Sequence, residues 1–243
     1  YMVGLRSQYK TDLMLNFYRQ IEAAVAENRK LLAILIDPDK FEENEAEAFL
    51  NYIPENTSHI FVGGSTVENN QTEKTVKAIK ARTQLPIFLF PGDHNQITDD
   101  ADAILFLSLI SGRNPEYLIG QQVKSVAKLS NTSLEIIPTG YILIDGGNES
   151  AVQRVSNTEP IPQFDLNTIV NTALAGQYSG KKLIYLEAGS GAKIPVSEEI
   201  IAAVKKAIDI PLIVGGGIRT RQQQKGAYEA GVDMLVMGTH FEK

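Results

Sequence analysis

The stretch Leu183-Ile184-Tyr185-Leu186-Glu187-Ala188-Gly189-Ser190-Gly191 decides the fold. Its first half is a short, largely apolar run, as a parallel strand buried on both faces requires. The Gly-Ser-Gly turn that follows lets the backbone approach a ligand closely. Strand alternation puts Tyr185 and Glu187 on one face and Leu186 on the other. Buried glutamate is rare unless paired or functional, so Tyr185 and Glu187 are candidate catalytic residues, with packing as the alternative.

Two units of the same kind come next. Residues 211–214 run into Gly215-Gly216-Gly217-Ile218-Arg219, and residues 233–237 run into Gly238-Thr239. Working back toward the start, apolar runs at 31–36, 59–62, 86–90, 103–107 and 134–138 bring the strands to eight. Amphipathic or polar stretches at 44–52, 70–82, 115–129, 167–178, 195–208 and 219–230 read as helices between them. An opening helix, capped at Thr11-Asp12, carries Leu13, Phe17, Ile21, Ala24 and Val25 at helical spacing. This alternation predicts an α/β fold, a (β/α)8 TIM barrel, as one domain over residues 1–243. The length agrees, since such barrels run to roughly 250 residues.

Two irregularities are expected. The segment Pro91-Gly92-Asp93-His94-Asn95-Gln96-Ile97-Thr98-Asp99-Asp100 is too short and too rich in breakers for a helix with two loops. The third outer helix should therefore be replaced by a loop, leaving a groove beside strands three and four. Residues 139–165 read as a long loop after strand five, either a lid, an oligomer contact or a passive insertion. No closing eighth helix follows strand eight in these residues.

Composition narrows the function. A net charge of −6 argues against a nucleic-acid footprint, though not against anionic small substrates, which backbone amides and a metal can hold. With no cysteine there is no disulfide, thiolate nucleophile or cysteine-zinc site, a usage that fits a cytoplasmic protein. No apolar run approaches the roughly 20 residues of a membrane span, and residues 1–10 show no signal-peptide core.

Polar residues gather where the strands end, which is where (β/α)8 barrels carry their sites. Asp37 follows strand one and suits a hard divalent cation such as Mg²⁺, or else opens a turn. Ser65 lies in Gly63-Gly64-Ser65-Thr66 after strand two, a hydroxyl ligand for metal or diphosphate, or a plain helix cap. Gly189, Ser190, Gly191, Gly216, Gly217, Gly238 and Thr239 form the expected phosphate site, with plain turns that need positive φ as the alternative. His94, Asn95, Gln96 and Arg113 are weaker candidates for diphosphate contacts. His59 and His240 show no metal-ligand spacing.

Taken in order, Ile36-Asp37-Pro38-Asp39-Lys40, Val62-Gly63-Gly64-Ser65-Thr66, Phe90-Pro91-Gly92, Ile104–Ser111, Pro138-Thr139-Gly140-Tyr141, Tyr185–Gly191, Val214–Arg219 and Val236–Thr239 resemble the geranylgeranylglyceryl phosphate synthase family. That family includes bacterial heptaprenylglyceryl phosphate synthases. The resemblance implies a barrel without its third helix and a prenyltransferase joining sn-glycerol 1-phosphate to geranylgeranyl or a similar prenyl diphosphate, with Mg²⁺ as cofactor. It implies Asp37 and Ser65 at the metal. It also places Tyr185, Leu186, Glu187, Ala188, Gly189, Ser190, Gly191, Gly216, Gly217, Gly238 and Thr239 at the glycerol phosphate, with Glu187 acting on its hydroxyl. Leu35 stands where some relatives have lysine, which resembles the second subgroup, from some archaea and Bacteroidetes-type bacteria; Lys40 is a candidate replacement charge. A homo-oligomer, dimer or hexamer, is implied, as is transient membrane contact for the lipid product. The prenyl tail should lie in the groove near Ile97, Phe106 and Leu109. The competing readings are a sugar-phosphate isomerase or epimerase, and a non-catalytic phosphate-binding barrel.

Overall fold

A computed structural model describes residues 16–68 and 70–238. Eight parallel strands close in sequence order, β1 (Leu31–Ile36), β2 (His59–Val62), β3 (Ile87–Leu89), β4 (Ala103–Leu109), β5 (Glu135–Leu143), β6 (Leu183–Glu187), β7 (Leu212–Gly215) and β8 (Met234–Met237), with β8 pairing β1. The apolar runs need no alternation because both faces are covered. In β1, Leu31 and Ala33 pack in the barrel interior, while Leu32 and Ile34 meet the outer helices. Aromatic rings fill the interior: Phe61 stacks on Phe88 at 5.7 Å, and Phe90 on Tyr185 at 5.2 Å.

The helices are α1 (Phe17–Ala26), α2 (Ala46–Tyr52), α3 (Gln71–Lys80), α4 (Gln121–Leu129), α5 (Ala151–Ser156), α6 (Leu166–Tyr178), α7 (Glu198–Ala207) and α8 (Arg221–Glu229). α1 packs into the end of the barrel opposite the strand C-termini, burying Tyr18, Ile21 and Ala24, with Phe17 edge-on to Phe88 at 5.8 Å. Asn16 caps it; the expected cap Thr11-Asp12 and Leu13 lie outside the described residues. The Glu135 carboxylate accepts from the Phe17 and Tyr18 backbone N–H groups, the first-turn donors a helix leaves unpaired. Glu135→Ala is expected to lower stability by about 0.5–2 kcal/mol, as loss of a helix cap does. An unchanged denaturation midpoint would show that water replaces this carboxylate without cost.

No helix lies between β3 and β4. Residues 91–100 run as successive turns instead, and Ile97 among them joins Ile104 in the buried core while Phe106 is left partly exposed. The expected long loop at 139–165 needs correction. β4 and β5 both extend, pairing as far as Leu109 with Tyr141, so residues 139–143 are strand. Pro138 forfeits one donor without ending the strand, because its carbonyl still accepts from Lys182 N at 2.8 Å. The rest holds α5 and a parallel bridge from Ile144 to Ile161. The stretch predicted as one helix at 115–129 begins as a π-turn, Glu116–Gly120, before α4.

Candidate active site

The strand C-termini surround a cleft of about 1070 Å³. It is lined by Asp37 and Lys40 after β1, Gly64 and Ser65 after β2, Phe90, Tyr141, and Tyr185 with Glu187 on β6. Ser190, Gly191, Gly216, Gly217 and Gly238 complete its far side. Gly216 and Gly217 take φ of +85° and +73°, the left-handed backbone in which successive N–H groups can turn toward an anion. The capping box of α8 pairs the Thr220 N–H with the Gln223 side chain and the Gln223 N–H with the Thr220 hydroxyl.

Glu187 is only 6% exposed. Burial pushes its carboxyl up to about 7, against the Gly189 N–H and the Tyr185 hydroxyl, which both pull it down. The Gly189 N–H donates to Glu187 Oε1 at 2.7 Å. The Tyr185 hydroxyl, fully buried, makes no hydrogen bond of ordinary geometry but lies beside the other carboxylate oxygen. A Cβ on Gly215 would fall 2.3 Å from that hydroxyl and 2.9 Å from Glu187 Oε2. Burial first, and the Glu187 charge second, hold Tyr185 and Tyr141 well above the usual phenol value. A carboxyl that titrates near neutrality, with the protonated phenol of Tyr185 beside it, is a general base suited to a hydroxyl proton.

Asp37 stands across the cleft. Its Oδ1 accepts from Asp39 N at 3.2 Å, and its Oδ2 pairs with Lys40 Nζ at 3.0 Å. Among the described residues no group of three acidic or histidine side chains could cage a metal. One carboxylate with a serine lining the same cleft fits Mg²⁺, which commonly takes one or two protein carboxylates and completes its shell with water and substrate phosphate.

A second cavity of about 810 Å³ opens where the third helix is missing. Ile97, Phe106 and Leu109 line it as expected, together with Ile104, Leu105 and Tyr117. It joins the polar cleft, because Gly64, Ser65, Phe90, Tyr141 and Val152 line both. Val152 comes from α5, so the insertion after β5 covers the junction.

Several expectations shift. Leu186 and Ala188 pack outward under the helices, leaving only their backbone near the cleft. Thr239 and His240 lie outside the described residues. Gln96 does not reach into the cleft; its amide is spent on the backbone of Gly64 and Gly92. His94 lines the groove and bonds Gln121 through Nδ1 at 2.9 Å, while Asn95 is exposed. Arg113 is turned back on the carbonyls of Gly112 and Ile110, in a separate shallow depression. His59 is buried near Phe88, and burial lowers it to about 4. Tyr141 and Phe90 were not singled out as site residues; alternation from Ile137 through Thr139 points Tyr141 inward and could have found it.

Fold and site define a (β/α)8 barrel whose polar mouth opens sideways into an apolar groove. The chain belongs to the PcrB family, which matches residues 23–243. It is 62% identical over 215 residues to a geranylgeranylglyceryl phosphate synthase of Zunongwangia profunda, across 88% of this chain and 92% of the relative. The synthase of Thermococcus kodakarensis is 43% identical over 219 residues, across 89% and 86%. Among solved structures, (S)-3-O-geranylgeranylglyceryl phosphate synthase from Thermoplasma acidophilum, in complex with its substrate sn-glycerol-1-phosphate, superposes with a TM-score of 0.85 at 38% identity, covering 95% of this chain and 93% of that one.

Proposed function

We propose that the protein transfers a prenyl group from its diphosphate to a hydroxyl of sn-glycerol 1-phosphate, forming an ether and releasing diphosphate. The observation that carries this is the continuity of the polar cleft with the apolar groove through Gly64, Ser65, Phe90, Tyr141 and Val152. A sugar-phosphate isomerase has no use for a long apolar annex. The similarity to synthases, one of them solved with sn-glycerol-1-phosphate, supports the same reading.

In this reading the loops at Gly189–Gly191 and Gly216-Gly217, with Gly238, hold the glycerol phosphate and present its free hydroxyl. The donor's tail lies in the groove, with its diphosphate at Gly64, Ser65 and Asp37. Glu187 accepts the hydroxyl proton as the new C–O bond forms at the allylic carbon and the bond to diphosphate breaks. Tyr185 and Tyr141, both protonated, orient the carboxylate and the reacting oxygen. Orientation of this kind can lower the barrier by roughly 7–11 kcal/mol. Asp37 and Ser65 would hold Mg²⁺, which when bound supplies charge neutralisation for the leaving diphosphate.

We place the reaction in the cytoplasm, in a homo-oligomer that meets the membrane when its product leaves. Among the described residues no helix is long and apolar enough to cross a membrane. The test is a transfer assay with labelled sn-glycerol 1-phosphate, Mg²⁺ and prenyl diphosphates of graded length. A prenylglyceryl phosphate product is expected, and no product with any donor would sink the reading. Asp37→Asn, or chelation of the wild type, is expected to cut turnover by about 10²-fold or more, the scale of losing a preorganised charge partner. Metal-independent turnover would remove Asp37 from that role.

A further inference from the structure

The turns that replace the third helix do more than leave a gap. They bring Gln96 inward, and at 3% exposure it is among the most buried polar side chains of the described residues. Its amide spans two strand-end loops. Nε2 donates to the Gly64 carbonyl at 2.9 Å, and Oε1 accepts from the N–H of Gly64 at 3.3 Å and of Gly92 at 3.2 Å. One side chain thus takes both backbone groups of Gly64 and one of Gly92. An amide flip would set oxygen against the Gly64 carbonyl, so the bonds fix its orientation.

The loops it clasps already touch. A Cβ on Gly92 would fall 2.3 Å from the Gly64 carbonyl oxygen and 2.7 Å from that of Ser65. On the other side, a Cβ on Gly64 would lie 3.1 Å from Asp37 Oδ1. Gly64 and Ser65 are also where cleft and groove meet. The clasp therefore sets the point at which the polar head of an amphiphile must turn into its apolar tail.

We propose that Gln96 is a positioning residue for the donor's diphosphate, acting through the Gly64–Ser65 backbone and leaving the glycerol phosphate side alone. This rests on the prenyl-transfer reading for the identity of the donor. Gln96 is distant from the loops after β6 and β7 in its bonding, with no hydrogen bond to either among the described residues.

The test compares wild type with Gln96→Met, which keeps the bulk and removes all three bonds. The KM for prenyl diphosphate is expected to rise about tenfold, as loss of several modest hydrogen bonds allows, while that for sn-glycerol 1-phosphate stays within about twofold. Inorganic diphosphate with Mg²⁺, titrated calorimetrically, should bind weaker by a similar factor. Amide hydrogen exchange should quicken at Gly64 and Gly92 and stay unchanged along β6. Should Gln96→Met not fold, Gln96→Glu serves: it still accepts from both N–H groups, loses donation to Gly64, and should show the same selective pattern.

Faster exchange with an unchanged donor KM would make the clasp purely structural and overturn the proposal. An equal rise in both KM values would overturn it too, as general loosening. If the wild type turns over no prenyl diphosphate, the transfer reading fails on its own, and the inorganic diphosphate titration still decides whether Gln96 shapes an anion site.

Discussion

Glu187→Gln is expected to slow prenyl transfer by about 10²–10⁴-fold, the usual worth of a general base, with both KM values nearly unchanged. Glutamine keeps the shape and can still accept from Gly189 N–H, but it cannot take a proton. The wild type should also lose turnover as pH falls through about 7, where Glu187 protonates, and the variant should lose that limb. Its stability should move the other way. The folded carboxyl holds its proton to about 7 rather than 4.5, so the folded state binds more protons between those values. Its contribution is present below the unfolded value and is lost as pH rises through about 7. At pH 8 the ionised group costs about 3 kcal/mol, and Glu187→Gln should recover part of it. A variant with wild-type turnover would remove Glu187 from the chemistry.

The second large effect is expected from Gly216→Ala. Gly216 sits at φ +85°, and a Cβ there would fall 2.5 Å from Glu187 Oε1, 2.7 Å from Gly189 N and 2.8 Å from Gly189 O. The left-handed backbone alone costs about 1–2 kcal/mol for a non-glycine residue. The contacts do more, because they drive apart Glu187 and the Gly189 N–H that orients it. Misplacement on the ångström scale costs about 10²-fold, so kcat/KM for the glycerol phosphate should fall at least that far. Gly180→Ala separates strain from contact. Gly180 has φ +86° with nothing within 4 Å of its Cβ position, so it should lose stability without losing activity. Equal activity losses in the two variants would show that the Gly216 contacts are not what matters.

How much of this was legible in the sequence follows from what each feature depends on. All eight strands were readable because burial on both faces writes itself as a continuous apolar run. The missing helix was readable because Pro91, Gly92 and the Asp and Asn residues after them leave no room for one. The extension of β4 and β5 was not, because Pro138 and Gly140 look like breakers. Gly140 instead lets the side chains of Ile110 and Ile184 close in, since a Cβ would fall 2.9 Å from Ile110 Cδ1 and 3.0 Å from Ile184 Cδ1. At the site, strand alternation placed Tyr185 and Glu187 correctly. Gln96 was misread because a polar residue in a turn-rich loop resembles a ligand contact, and only the fold of that loop shows which carbonyl it meets. The junction at Val152 was likewise hidden, since it depends on α5 lying back over the mouth.

The open slot between β3 and β4 has a consequence for what counts as the finished molecule. In a regular barrel a helix would cover this slot; here Phe106 stays partly exposed along the groove, and its shielding passes to whatever enters there. An apolar tail lying there would act as a removable piece of secondary structure, contributing burial that the chain itself does not supply. Its arrival would remove apolar surface from water, so binding would carry a negative heat-capacity change more typical of a folding step than of recognising a phosphate. Among the described residues six outer helices clad the barrel, and an apolar tail in the groove would stand in for one that the chain does not supply.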